Sequence, residues 1–393
     1  MSNAVSRRGF IGALSAARVM GANDRIRLGV IGTGGRGRYL MSNANATRRN
    51  EIQWVAVADA YDVQRDRAEK VAGAAIDKYV DYRRVLDRKD IDAVIIATWD
   101  HMHCAIAVDA CRAGKDLFVE KPMTLHPMEG HKIVKAVREH KRILQIGTQQ
   151  RSYPHFIEAK EKFIDSGRIG KVTMVRTIWN GNGAYRNQTP PPGMEKKPEG
   201  MDWEICQGQL PKVPWDPKRY FNHYVYWNYS TNAQMGGLFV HLIDVVHWYL
   251  KVEKPLAAMC AGGIYLGVNG RDTADNINAI CEYPGELLVT FEANVTDMVP
   301  KENADIVFMG TGGRLSIFRY GYKFLAAEDK GAEPVTSAPT PELHVANWLD
   351  CIRSRKPAAC DEVAGHYSAM ACHICNVSYK EKRRVAWRKE WDV

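Results

Sequence analysis

The stretch Val30–Leu40, VIGTGGRGRYL, places Gly32, Gly34 and Gly37 at the spacing G-x-G-x-x-G, at the end of the apolar run IRLGV. That spacing alone is weak, because surface turns are often rich in glycine. Between a buried strand and a helix it becomes a cradle for a dinucleotide. Gly32 makes the tight turn, Gly34 lets the backbone approach a pyrophosphate, and Gly37 permits close packing of helix on sheet. The helix N-terminus then offers free amides and a positive dipole end to the phosphates. Thr33, Gly35 and Arg36 complete the loop. Asp59 ends the next strand-like run, in VAVADAYD, where a carboxylate accepts hydrogen bonds from both ribose hydroxyls. No Lys or Arg directly follows Asp59, so a 2′-phosphate meets negative charge and NAD is favoured. Arg36 keeps NADP open, since it is expected to reach an adenine-side phosphate.

These residues need a frame, and the pattern from Ile26 onward supplies one. Buried apolar runs (IRLGVIG, IQWVAVAD, IDAVIIAT, KDLFVE, RILQIGT) alternate with amphipathic segments of helical period. Such alternation predicts an α/β fold, a Rossmann-type doubly wound parallel sheet over residues 26–148. The character changes after it. Runs such as VTMVRTIWN, NINAICEYP and ELLVTFEAN are rich in β-branched and aromatic residues. They predict a second, α+β domain over 149–393, with a large mixed or antiparallel sheet and helices closing the chain. A long proline- and aromatic-rich stretch near residues 188–230 reads as an ordered pocket wall.

The chain has 393 residues and a net charge of +9, with 46% hydrophobic residues. Its basic residues are scattered among acids with no stripe, so no nucleic-acid partner is expected. No apolar run approaches the ~20 residues of a membrane span. Nine cysteines at irregular spacing argue against a disulfide framework. Cys372 and Cys375 form one C-x-x-C with no second pair, which favours core packing over a metal site, and no metal is expected. Residues 1–25 carry Arg7 and Arg8 before a modest apolar segment, resembling a twin-arginine export signal. Export to the periplasm is the expectation, with a cytoplasmic location if that leader does not function.

Further motifs lie in Ala97–Met123, ATWDHMHCAIAVDACRAGKDLFVEKPM: a Thr98…His103 turn, and Glu120-Lys121-Pro122 at a strand's carboxyl end. GRIGKV and a glycine-led helix from Gly236 to Leu250 follow. With the glycine loop, they make the chain resemble the family of glucose–fructose oxidoreductase, inositol dehydrogenase and MocA over nearly its whole length. The resemblance implies an NAD(P)-dependent oxidoreductase acting on a CH–OH group of a sugar or cyclitol. It places Lys121 beside the nicotinamide as a catalytic residue, with Thr98, Trp99, His103 and Glu120 along the cofactor. His241 matches the family's histidine, but the carboxylate usually found four residues earlier is Gly237 here. Asp244 lies one turn on and is a candidate to orient His241. Arg151 either reaches substrate or forms a salt bridge, and Trp179, Tyr226 and Trp227 either stack on a sugar face or pack in the core. A homo-oligomer through the C-terminal sheet is expected. Two other readings stand: a redox-neutral glycosidase or epimerase that oxidises its substrate transiently, and an inactive sugar-binding homologue.

Overall fold

The computed structural model describes residues 25–181, 188–267, 270–294, 305–328 and 331–393. The expected leader, up to residue 24, lies outside them.

The first sheet contains β1 (Ile26–Ile31), β2 (Ile52–Ala58), β3 (Asp77–Tyr79), β4 (Ala93–Ile96), β5 (Asp116–Val119) and β6 (Leu144–Ile146). They are parallel, in the order β3-β2-β1-β4-β5-β6. β4 and β5 are buried at every position. A parallel sheet covered by helices on both faces requires such unbroken apolar runs. The connecting helices are α1 (Gly35–Arg48), α2 (Asp62–Ala72), α3 (Arg83–Leu86), α4 (Asp100–Arg112) and α5 (Glu129–His140). The strand order reverses between β1 and β4, and the crevice at their carboxyl ends is where such sheets bind ligands.

The second sheet has nine strands in the order β14-β13-β12-β11-β7-β10-β9-β8-β15. They are β7 (Val172–Ile178), β8 (Ala257–Gly263), β9 (Asn276–Tyr283), β10 (Leu287–Asn294), β11 (Asp305–Gly310), β12 (Gly313–Phe318), β13 (Gly321–Ala326), β14 (Ala332–Thr336) and β15 (Val385–Ala386). β7 and β10 pair in parallel, and the remaining neighbours are antiparallel. β9 and β10 alternate buried and more exposed positions, so one face of the sheet carries the core.

The helices on the way to the site are α6 (Pro154–Ala159), the short α7 (Trp203–Gln207) and α8 (Pro217–Phe221), and α9 (Val240–Leu250). Two segments that read as plain α-helix contain π-helical turns, Lys160–Asp165 after α6 and Asn232–Phe239 before α9. The chain ends with α10 (Glu342–Ser354) and α11 (Glu362–Glu381). α10 does not stay with the second sheet. Its Val345, Trp348 and Leu349 share a core with Leu28, Leu40 and Phe118 of the first domain. These three sit at i, i+3 and i+4, the apolar stripe of one helix face. The first domain is therefore completed by a helix some two hundred residues beyond its expected end at 148. α11 contributes Ala369 to the first domain's core, and Met370 and Ile374 to that of the second.

Candidate functional site

β1 runs into the glycine loop with Gly32 at φ +85°, a conformation that suits glycine. A β-carbon there would stand 2.7 Å from the Ala97 carbonyl and the Thr98 nitrogen, so the loop lies directly against the end of β4. A β-carbon on Gly37 would stand 2.1 Å from the Gly32 oxygen. Gly34 and Gly35 differ: their added β-carbons would meet no atom of the described residues within 4 Å. Gly34 precedes α1, whose first turn has no side-chain cap and no acidic residue. Open space over uncapped amides is the cradle an anion needs. Thr98 adds, at the same edge, a buried hydroxyl with no hydrogen-bond partner among the described residues. These residues fit a dinucleotide pyrophosphate.

Asp59 follows β2 and is half-buried. One oxygen accepts from the Thr33 amide (2.7 Å) and hydroxyl (3.2 Å), and the other from the Tyr61 amide (3.0 Å). Burial holds its carboxyl above the ordinary range despite these donors. The oxygen that accepts from Tyr61 keeps a lone pair for a ribose hydroxyl, while the other already accepts twice from Thr33. Two guanidiniums stand beside it: Arg38 donates to the Thr33 carbonyl (2.6 Å), and Arg65 to the Asp59 carbonyl (2.5 Å).

Arg36 is not one of them, which corrects its expected reach toward an adenine-side phosphate. Its Nε donates to Glu120 Oε1 at 2.6 Å, on the opposite side of the loop. Residues two apart on a helix lie about 200° apart, so Arg36 and Arg38 face opposite ways. Burial works against the Arg36 charge, but the Glu120 carboxylate outweighs it and strengthens its basicity.

The turn after β5 is built around Glu120. It is buried, and its second oxygen accepts from the Lys121 amide at 3.2 Å. Gly147 makes room for it, since a β-carbon there would lie 2.7 Å from Glu120 Oε1. His103, fully buried in α4, has Nδ1 2.8 Å from the Pro122 carbonyl and Nε2 3.1 Å from that of Thr98. It ties the end of β4 to the Glu-Lys-Pro turn. Lys121 is half-buried, and its Nζ donates to the Gly237 carbonyl at 3.2 Å.

That bond joins the two domains at the segment leading into α9. Gly236 lets the segment approach: a β-carbon there would fall 3.0 Å from the Pro122 ring and into the Thr231 hydroxyl. His241 lies four residues beyond Gly237, is buried, and has its ring 6.1 Å from Trp179. Asp244 is committed elsewhere. Arg151 grips it through Nε (2.7 Å) and Nη2 (2.9 Å), and Ser368 donates at 2.8 Å. Burial alone would raise the Asp244 carboxyl, but Arg151 holds it below the ordinary range. Of the two roles expected for Arg151, the structure shows the salt bridge. His247 packs against Tyr283 with Nε2 2.7 Å from the phenol oxygen.

Trp99 stacks on His223 (4.5 Å, 13°) and meets Tyr229 and Trp203 edge-on. This aromatic cluster belongs to the proline-rich segment, which crosses the mouth of the first sheet. Tyr61 bridges to Met201, Asp62 N–H donates to Gly200 (3.2 Å), and Asp202 N–H donates to Ala60 (2.9 Å). Tyr226 packs in the same cluster under Arg219, and Trp227 lies beneath Lys380. Of the three aromatic residues considered for a sugar face, the structure brings Trp179 beside His241. Cys372 and Cys375 are buried in α11, Cys375 Sγ lying 3.5 Å from that of Cys281. Among the described residues no cluster of His, Cys, Asp and Glu is arranged to hold a metal. No helix among them is long and apolar enough to cross a membrane.

Residues 26–148 match the model of the oxidoreductase family GFO_IDH_MocA, with an NAD-binding Rossmann fold. This part of the chain is thus an NAD-binding Rossmann domain. Among curated proteins, the chain is similar to an inositol 2-dehydrogenase/D-chiro-inositol 3-dehydrogenase of Halalkalibacterium halodurans. The two are 34% identical over 232 residues, 58% of this chain and 53% of that enzyme. It is also 26% identical over 230 residues to an inositol 2-dehydrogenase of Klebsiella pneumoniae, covering 58% of this chain and 55% of that enzyme. The matched region thus spans about half the length of these relatives. Among solved structures, levoglucosan dehydrogenase in complex with NADH and levoglucosan superposes with a TM-score of 0.73 at 18% identity. That match covers 92% of this chain and 99% of the other. GenD2 from gentamicin A biosynthesis, in complex with NAD, gives 0.72 at 16% identity over 93% and 97%. At these identities the likeness shows the fold.

Proposed function

We propose that the whole chain is a Gfo/Idh/MocA oxidoreductase that exchanges a hydride between NAD and a hydroxyl-bearing ring carbon of a sugar or cyclitol. One observation carries this reading. Lys121 stands at the carboxyl edge of a sheet that holds a pyrophosphate cradle, and it is bonded across to the helix bearing His241. The loop at Gly32–Gly37 and Asp59 would hold the dinucleotide, which supplies a hydride acceptor when bound. Lys121 donates a hydrogen bond to the substrate oxygen and stabilises the charge that grows on it. The Gly237 carbonyl fixes the Lys121 ammonium in place. His241, held beside Trp179, takes the hydroxyl proton. The inositol and levoglucosan dehydrogenases among the similar proteins support a ring substrate. The test is NADH formation on mixing the protein with NAD and myo-inositol or levoglucosan. NADH binding without turnover on any sugar or cyclitol would count against the reading.

One observation favours the redox-neutral alternative. The segment around Gly200–Tyr229 crosses the adenosine side of the cleft, which would slow cofactor exchange. Native mass spectrometry distinguishes the two: NAD retained through purification supports the closed cycle, and its loss supports a freely exchanging dehydrogenase. Export by the twin-arginine leader is part of the proposal, and fractionation of cells expressing the full chain tests it. So is a homo-oligomer through the second sheet. Its outer face pairs Met259 with Ile280, both about half exposed, and light scattering would measure the assembly.

A further inference from the structure

Arg319 sits in the turn between β12 and β13, far in sequence from the motifs above. Its guanidinium lies 5.9 Å from the centre of the Trp179 ring, which also neighbours His241. It also borders a small void of about 20 Å³, room for a single water, between Gln150, Trp179 and the apolar Phe156, Leu242, Ile306 and Ile317. The Gln150 side-chain oxygen there is buried and has no hydrogen-bond partner among the described residues.

The two carboxylates nearest the cleft already have cationic partners. Glu120 is matched by Arg36, and Asp244 by Arg151. Arg319 is exposed and forms no ion pair among the described residues. An exposed guanidinium over an aromatic ring that also neighbours a buried histidine is a fork for a carboxylate or phosphate. A neutral polyol can accept from the same N–H groups, but a carboxylate or phosphate takes two parallel, doubly charged bonds from them.

We infer that this cleft takes a sugar or cyclitol bearing an anionic group, with Arg319 as the residue that selects for it. The inference rests on the reading of this cleft as the substrate site. Trp179 packs against the apolar face of the ring, and Arg319 beyond it holds the anion. The reacting carbon is thereby turned toward Lys121 and His241.

The test measures the affinities of D-glucuronate, D-glucose 6-phosphate and D-glucose for the NADH complex. At least one anionic sugar should bind about tenfold or more tightly than glucose, the scale of one charge-assisted bond. Whichever anion binds identifies carboxylate or phosphate. Arg319→Gln should bring that affinity down to the level of glucose, and Arg319→Lys should restore part of it. Equal binding of all three sugars, binding of none, or an anion preference that survives Arg319→Gln would overturn the inference. Failure of the natural protein to bind NADH would overturn the dinucleotide reading and this inference with it. That outcome is distinct from an NADH complex that ignores charge.

Discussion

Gly34 and Gly37 belong to one motif, yet the structure assigns them different jobs, and alanine at each separates the jobs. Gly34 has φ −58°, which alanine adopts freely, and its added β-carbon would touch no heavy atom of the described residues within 4 Å. Gly34→Ala should fold as well as the natural chain, or gain up to about 1 kcal/mol from the reduced freedom of the unfolded state. The space the methyl enters is the space a pyrophosphate must cross to reach the α1 amides. Losing one hydrogen bond to a charged group costs about 1.5–3 kcal/mol. The dissociation constant for NADH should therefore rise about 10- to 150-fold. Gly37→Ala puts its β-carbon 2.1 Å from the Gly32 oxygen, and neither backbone can give way cheaply. It should lower the melting temperature before any cofactor is added. Thermal unfolding and NADH fluorescence titration of both variants make the comparison. A Gly34→Ala protein that binds NADH with natural affinity would refute the placement of the pyrophosphate over this turn.

Other outcomes follow from the same geometry. Asp59→Ala leaves Arg38 and Arg65 without the carboxylate they flank, so NADP should gain on NAD by about tenfold, as titration of both cofactors would reveal. Asp244→Asn strands the Arg151 guanidinium among buried groups, and denaturant unfolding should register a loss of about 3–5 kcal/mol. Burial pushes His247 and His373 down to about 3, and His344 and His366 down to about 4. The unfolded chain takes up these protons near pH 6.5 and the folded chain does not, so stability is full above that pH and falls as pH drops toward 4. By about pH 5 each histidine costs roughly 2 kcal/mol. The melting temperature should drop steeply over that interval, and a flat profile would show that these rings are protonated in the fold.

The Rossmann sheet was legible because its strands are buried on both faces and its helices are amphipathic, so each element declares itself locally. The glycine loop was legible for the same reason, as strand, turn and helix are contiguous. What the sequence hides is direction and distance. Arg36 and Arg38 are two residues apart, and only the helical phase decides which one stands near Asp59. The mostly apolar stretch from Met235 to Leu250 reads as one α-helix, and nothing in it announces the π-helical turns before Val240. Asp244 is three residues from His241 but pairs with Arg151, a partner set by how α9 packs on the turn after β6. Trp348 reaches back to Phe118 across most of the chain. Arg319 had no motif around it, and only the folding of β12 and β13 brings it to Trp179.

The central claim is that Lys121 acts on the substrate oxygen while the glycine loop holds the cofactor. Lys121→Met tests it through two quantities: NADH affinity, and the rate at which NAD is reduced by whichever cyclitol or sugar the natural enzyme oxidises. The geometry predicts an NADH dissociation constant within about twofold of the natural one. It predicts turnover lower by about 10²- to 10⁴-fold, the range for groups in acid–base catalysis. Affinity and turnover falling together would make Lys121 a cofactor anchor, and unchanged turnover would remove it from the reaction.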